Sequence, residues 1–336
     1  MKGDRSKEVT GKRISKRTGI ILFTVAMLTM ATVIVFYQNP LANPQDERIK
    51  KLIACGIILI AILGFALLYD KITVLPAELF QSRHLIWKLA KNDFKTKYAG
   101  SYFGTVWAFI QPIVTICVYW FVFGLALRSG SDKGVPFVLW LIAGLIPWFF
   151  IQEGLTGGTS ALLEYNYLVK KVVFNIRILP VVKVFSAVFV HCFFVVIILV
   201  IYTFMGYPPS LYALQLIYYS FCIFALILAV TYMTSAAVVF FRDLSQIINI
   251  MLQVGVWVTP IMWDFNDLHL NAMLRNLLKL NPVFYIVQGY RDSLINKVGI
   301  WEHSVLTLYF WVFTIVVFIL GTKLFKKLQV HFADVL

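Results

Sequence analysis

Apolar residues gather into eight runs along this chain: Gly19–Tyr37, Leu52–Tyr69, Phe103–Leu127, Pro136–Ile151, Ser186–Met205, Leu211–Phe241, Ile247–Trp263 and Val305–Leu320. A helix needs about 20 apolar residues to cross the hydrocarbon of a bilayer. The runs are of that order, so the pattern predicts an all-α, polytopic membrane protein with eight spans. Leu211–Phe241 exceeds the need and is expected to tilt or protrude. A cleaved signal peptide competes for Gly19–Tyr37, but its apolar core usually holds about 7–15 residues and ends at a small-x-small site. No such site is evident, so the run reads as a membrane anchor that forms a hairpin with Leu52–Tyr69.

Three stretches break the alternation of span and loop. In Arg83–Lys97, His84, Lys88, Lys91 and Lys95 recur at steps of four, three and four. At helical pitch they share one narrow arc, with Leu85, Ile86, Leu89, Ala90 and Phe94 on the other side. That pattern predicts a helix lying in the headgroup layer, its lysines toward anionic lipid, with Ala99-Gly100-Ser101 as the hinge into the next span. Gly154, Gly157 and Gly158 are expected to break the helix of the fourth run, leaving Ser160–Val172 as a short amphipathic helix. Lys183 is expected to snorkel at the start of the fifth run. Between Trp263 and Trp301, Leu268–Leu280 and Val283–Ile295 flank Asn281-Pro282. Both are too short to span, which predicts a re-entrant pair buried in protein.

Composition sharpens this picture. Only 14% of the 336 residues are charged, against about 25% in a soluble domain. The net charge of +14 does not point to nucleic acid, because the excess basic residues occupy loops between spans. With the N-terminus inside, 21 of the 30 Lys and Arg fall on the inner side. This bias predicts cytoplasmic termini and a cytoplasmic position for the Arg83–Lys97 helix. The predicted organisation is a basic tail over 1–18, a hairpin and linker over 19–77, and a main transmembrane domain over 78–336. Cys55, Cys117, Cys192 and Cys222 sit singly in apolar runs and read as packing residues, without metal-ligand spacing.

Candidate chemistry is sparse. No G-x-x-x-x-G-K-[ST] phosphate loop occurs, so a chain that pumps needs ATP and Mg²⁺ bound by a separate subunit. No zinc-ligand motif or nucleophile elbow is present, and no catalytic residue or cofactor is assigned. Asp264 and Asp267 form a weak carboxylate pair on the outer side, more in keeping with loop capping than catalysis. Glu153 reads as a carboxylate at the cytoplasmic end of its span, with a pathway role as the alternative, and His191 reads as a packed, hydrogen-bonded histidine. Arg291-Asp292 reads as a pair with a structural or gating use. Trp148, Phe149, Trp257, Tyr285 and Tyr290 belong either to interfacial belts or to a surface on which sugar rings stack.

Several fragments together resemble the permease subunit of ABC-2-type exporters of O-antigen, capsule and wall teichoic acid. They are the run Asn92–Pro112, Pro147-Trp148-Phe149-Phe150, Tyr167–Phe174 leading to Pro180, Phe241-Arg242-Asp243 and Thr259-Pro260-Ile261. Asn281-Pro282, Gly289-Tyr290-Arg291-Asp292 and His331–Leu336 complete the set. The family often has Phe-Pro where this chain has Phe174-Asn175. The resemblance implies a six-helix core, to which the Gly19–Tyr69 hairpin is an addition, and a homodimer that binds two cytoplasmic ABC ATPase subunits in the bacterial inner membrane. It makes 78–98, with Lys88, Lys91 and Lys95, the interface helix. It makes 160–172, with Glu164, Leu168, Lys170 and Lys171, the coupling helix. It makes 264–300 an outer gate, so that Trp148, Phe149, Glu153, Trp257, Tyr285, Tyr290, Arg291 and Asp292 are channel or gate candidates. The implied cargo is a lipid-linked polymer. A drug or small lipid, or a membrane-embedded transferase in place of a permease, are the competing readings.

Overall fold

The computed structural model describes residues 15–36, 44–126, 134–170, 174–264 and 272–336, and among them there is no strand. Most of the basic tail, Lys171 and Asp267 lie outside the described residues. Among the described residues, seven helical segments are long and apolar enough to cross a membrane. The chain divides into two compact units.

The first unit comprises the residues up to Leu85 together with Trp301–Leu308. Its main feature is the expected hairpin, α1 (Lys16–Phe36) and α2 (Pro44–Ile72), followed by α3 (Val74–Gln81). Phe23 stacks on Phe65 with ring centroids 4.0 Å apart. Gly19 lies so close under the Tyr69 ring that a Cβ there would sit 2.3 Å from its hydroxyl.

The second unit, Ile86–Ile300 with Tyr309–Leu336, holds the core. The amphipathic helix α4 (Arg83–Thr96) leads through Gly100 (φ 87°) and Gly104 (φ 51°) into α5 (Trp107–Tyr119). Both glycines occupy the left-handed region open to a residue without a side chain, which makes the hinge local and sharp. A π-helical stretch, Trp120–Ala126, extends α5.

The centre of the unit is α6 (Phe137–Glu164), apolar on every side and mostly buried. It corrects one expectation: the helix runs unbroken through Gly154, Gly157 and Gly158. Each glycine costs a helix about 1 kcal/mol relative to alanine, but here two of them admit a neighbour. A Cβ at Gly154 would lie 2.9 Å from Ile227, and one at Gly158 would lie 2.2 Å from Thr231. Gly154 and Gly158 are four apart, the small-xxx-small spacing by which membrane helices approach closely. After α6, Tyr165 turns the chain into α7 (Asn166–Val169), so Ser160–Val172 is not one helix: its first turn is the end of α6. Asn175 makes the next turn with its side chain, its Oδ1 accepting the Arg177 N–H at 3.2 Å.

Packed around α6 are α8 (Ile178–Phe204), α9 (Gln215–Val238) and α10 (Leu244–Val258). The seventh apolar run is shorter than expected: α10 holds 15 residues, about 22 Å at helical rise. It ends because Thr259 precedes Pro260 and takes an extended backbone (ψ 132°). Then come α11 (Ala272–Lys279), α12 (Pro282–Arg291), α13 (Ser304–Leu328) and α14 (Phe332–Val335). Asn281 caps α12, its Oδ1 accepting the Val283 N–H at 3.0 Å, with Pro282 as first helical residue. Of the expected re-entrant pair, α12 is buried, whereas α11 exposes Met273 and Leu277.

Candidate functional site

α4 presents the two faces expected of it. His84, Lys88, Lys91 and Lys95 are exposed, and Ile86 and Ala90 are buried. On the buried face stands Asp93, whose carboxylate is covered by Lys183 Nζ of α8 at 2.6 Å and by the Tyr165 hydroxyl, which donates at 2.8 Å. The same ammonium reaches Glu164 Oε2 at 2.5 Å. Lys183 therefore does not snorkel to a headgroup; its charge is spent on two carboxylates from other elements. Burial raises the Tyr165 phenol above its ordinary range, and its hydrogen bond to Asp93 adds to the effect.

A second bridge joins the end of α4 to α6: Lys97 is paired with Glu153. Glu153 does not mark the end of its helix, since α6 continues for three more turns. Burial by itself would lower the Lys97 pKa, but the adjacent carboxylate outweighs it and holds the ammonium above its ordinary value. Asp93, Lys97, Tyr165 and Lys183 were all missed as site residues in the sequence. The available signal was Asp93 itself, which follows Ile86 and Ala90 on the apolar arc, where a carboxylate needs a cation.

Among the expected coupling residues, Glu164 closes α6, Leu168 is half-buried on α7 and Lys170 is exposed. The structure brings these to the same end of α6 as the Lys183 cluster.

Of the eight channel or gate candidates, the structure gathers four. Trp148, Phe149, Glu153 and Trp257 line one cavity of about 650 Å³ between α5, α6, α8 and α10. Trp148 lies over Gly255 of α10, where a Cβ would come within 2.8 Å of its ring. Between these aromatics the wall carries Gln111, Gln152, Asn249 and Gln253 from three helices. The lining thus combines π-faces with neutral amides, and its one carboxylate, Glu153, is held by Lys97.

The other four, Tyr285, Tyr290, Arg291 and Asp292, do not line this cavity; all are buried on or beside α12. Arg291 donates to the carbonyls of Pro260 at 2.6 Å and Ile261 at 2.8 Å, and its guanidinium lies 3.5 Å over the Trp140 ring. It closes the carbonyls left open where α10 stops. Asp292 Oδ1 accepts from Gln288 and Asn296, at 2.9 and 2.7 Å. The Tyr285 hydroxyl meets that of Tyr218 at 3.1 Å. The Tyr290 hydroxyl lies 2.8 Å from Ser220 Oγ and 3.1 Å from His191 Nε2. His191 stacks on Phe150 and also borders the cavity, so it is the packed histidine expected and joins the two regions.

Comparison with known proteins accords with this geometry. Residues 84–295 match the ABC-2 type transporter family. Over 220 residues, 65% of this chain and 82% of the relative, the chain is 28% identical to the O-antigen export system permease protein RfbA of Myxococcus xanthus. It is 26% identical to the protein of that name from Klebsiella pneumoniae, over 75% of this chain and 95% of the relative. The family match spans more than half of the chain, from the amphipathic helix through α12, and the protein is a member of the ABC-2 type transporter family.

Proposed function

We propose that this chain is the permease subunit of an exporter that moves a lipid-linked cell-surface polysaccharide across the bacterial cytoplasmic membrane. Two copies would form the path, and two cytoplasmic ATPase subunits would bind ATP and Mg²⁺ and supply the work. The observation that carries the reading is the lining of the cavity. Aromatic faces at Trp148, Phe149 and Trp257 suit the C–H faces of sugar rings, and Gln111, Gln152, Asn249 and Gln253 suit their hydroxyls. Relatives named as O-antigen export permeases support the same cargo class. In this reading the Glu164–Lys170 end of α6 and α7 and the lysine stripe of α4 face the cytoplasm, the stripe being shared between anionic lipid and the ATPase.

The experiment is deletion of the gene in its native host, with surface polymer and lipid-linked precursor measured separately. Export predicts loss of polymer from the surface and accumulation of precursor inside. Undiminished surface polymer would reject the proposal, as would purification of the protein from native membranes without any nucleotide-binding subunit.

A further inference from the structure

Three elements meet at the Lys183 ammonium, and its contacts are of two kinds. The Asp93 and Lys183 side chains are 10% and 12% exposed and join α4 to α8. The Glu164 side chain is 50% exposed, and its other oxygen is held by the Ser160 hydroxyl one turn back on α6, at 2.5 Å. Tyr165, the next residue, donates to the Asp93 carboxylate from the same turn of chain and lays its ring 5.2 Å from the ammonium. Two consecutive residues at the α6–α7 junction thus grip a buried pair that already binds α4 to α8. A multiply bonded ion cluster of this kind has one good arrangement, because moving Asp93 or Lys183 strands a charge away from water. The second bridge, Lys97–Glu153, ties the chain just past α4 to α6 about three turns before Glu164. Two grips suppress rotation of one helix about the other, which one alone would permit.

We infer that the Asp93–Lys183–Glu164–Tyr165 cluster is a transmission joint: it makes α4, the α6–α7 junction and the start of α8 move as one body, so that work done on that end by the ATPase reaches the transport path. Lys183 is its central positioning residue. The inference rests on the proposed export function for the source of the work, but the rigidity it asserts is measurable without transport.

The test uses the full complex of this chain with its ATPase subunit, in lipid nanodiscs and proteoliposomes. Polymer exported per ATP hydrolysed is read for wild type, Lys183→Met, Lys183→Arg and Glu164→Gln. A joint predicts that Lys183→Met lowers this ratio by about tenfold, within the range of ordinary coupling free energies. Glu164→Gln should lower it less, and Lys183→Arg should restore most of it. A merely structural lysine would lower the yield of complex and leave the ratio of what remains unchanged, which would overturn the inference. Should Lys183→Met fail to assemble, the Glu164→Gln ratio and a distance measurement decide. Spin labels at the exposed positions Lys91 of α4 and Tyr167 of α7, in a chain with its four cysteines replaced, should give one narrow distance with and without ATP. Glu164→Gln should broaden it. A wild-type distance that shifts with nucleotide overturns the joint even where export proceeds. A fixed distance in a complex that moves no polymer would overturn the export reading and leave the joint standing.

Discussion

The wall of the cavity and the helix α12 lie in the same compact unit and share His191, yet they use polar groups in opposite ways. Along α12 and the turn after it, Tyr290, Arg291 and Asp292 are buried, and each is hydrogen-bonded to a named partner inside the protein, Arg291 donating and Asp292 accepting. Around the cavity, Gln111, Gln152 and Gln253 border open space, and the Lys97–Glu153 pair is half-exposed. Polar chemistry committed to internal partners stabilises one arrangement; polar chemistry left facing a cavity is available to something that passes through. Residues that hold this unit together are thus distinct from residues that, under the proposed export function, would meet cargo.

Substitutions can break or sharpen that division, and the largest effect belongs to α12. Arg291→Met removes both donors from the Pro260 and Ile261 carbonyls, each stranded acceptor costing about 1–3 kcal/mol, and should cost about 2–6 kcal/mol in all, read as a lower unfolding midpoint in detergent. A stable Arg291→Met protein would mean that α12 is not the locked region. Next, Tyr290→Phe removes one hydroxyl from the Ser220–His191 group and should cost about 1–3 kcal/mol by the same measurement. Glu153→Gln breaks the half-exposed bridge and should cost about 1 kcal/mol or less. Because the Lys97 pKa is raised on folding, its contribution is complete below the unfolded value of about 10.4 and is lost only as pH rises through the higher folded one. The stability difference between wild type and Glu153→Gln should accordingly stay constant from about pH 6 to about pH 9. Smallest of all in stability is Trp257→Ala, whose side chain is 53% exposed; it should change unfolding by about 0.5 kcal/mol or less while still lowering export. Equal losses of stability at Trp257 and Tyr290 would erase the distinction.

Much of the fold could be read from local pattern. The stripe of Lys88, Lys91 and Lys95 follows from helical pitch, and it is exposed as the pitch requires. The burial of α12 follows from a segment too short to span yet too apolar for water. The errors fall where a residue's meaning depends on a distant neighbour. Gly154 and Gly158 read as breakers in isolation, and only Ile227 and Thr231 of α9 make them packing sites. Asp93 stands on the apolar arc of its helix, but nothing local names its partner: Lys183, far along the chain, stands opposite it. Arg291-Asp292 was recognisable as a costly buried group, but its use was not, because the carbonyls it closes are freed by the stop at Thr259-Pro260.

The unbroken course of α6 has a mechanical consequence. Trp148, Phe149 and Glu153 on the cavity wall and Glu164 at the α7 junction all follow Pro147, the proline inside α6, and belong to one uninterrupted helical stretch, about 25 Å long. A stretch of helix without an internal proline delivers a push along its axis with little lost travel, and it converts a small tilt at one end into a sideways sweep at the other. The glycines expected to cut this stretch are instead where it lies closest to α9, so a tilt of it bears first on the contacts of Gly154 and Gly158 with Ile227 and Thr231.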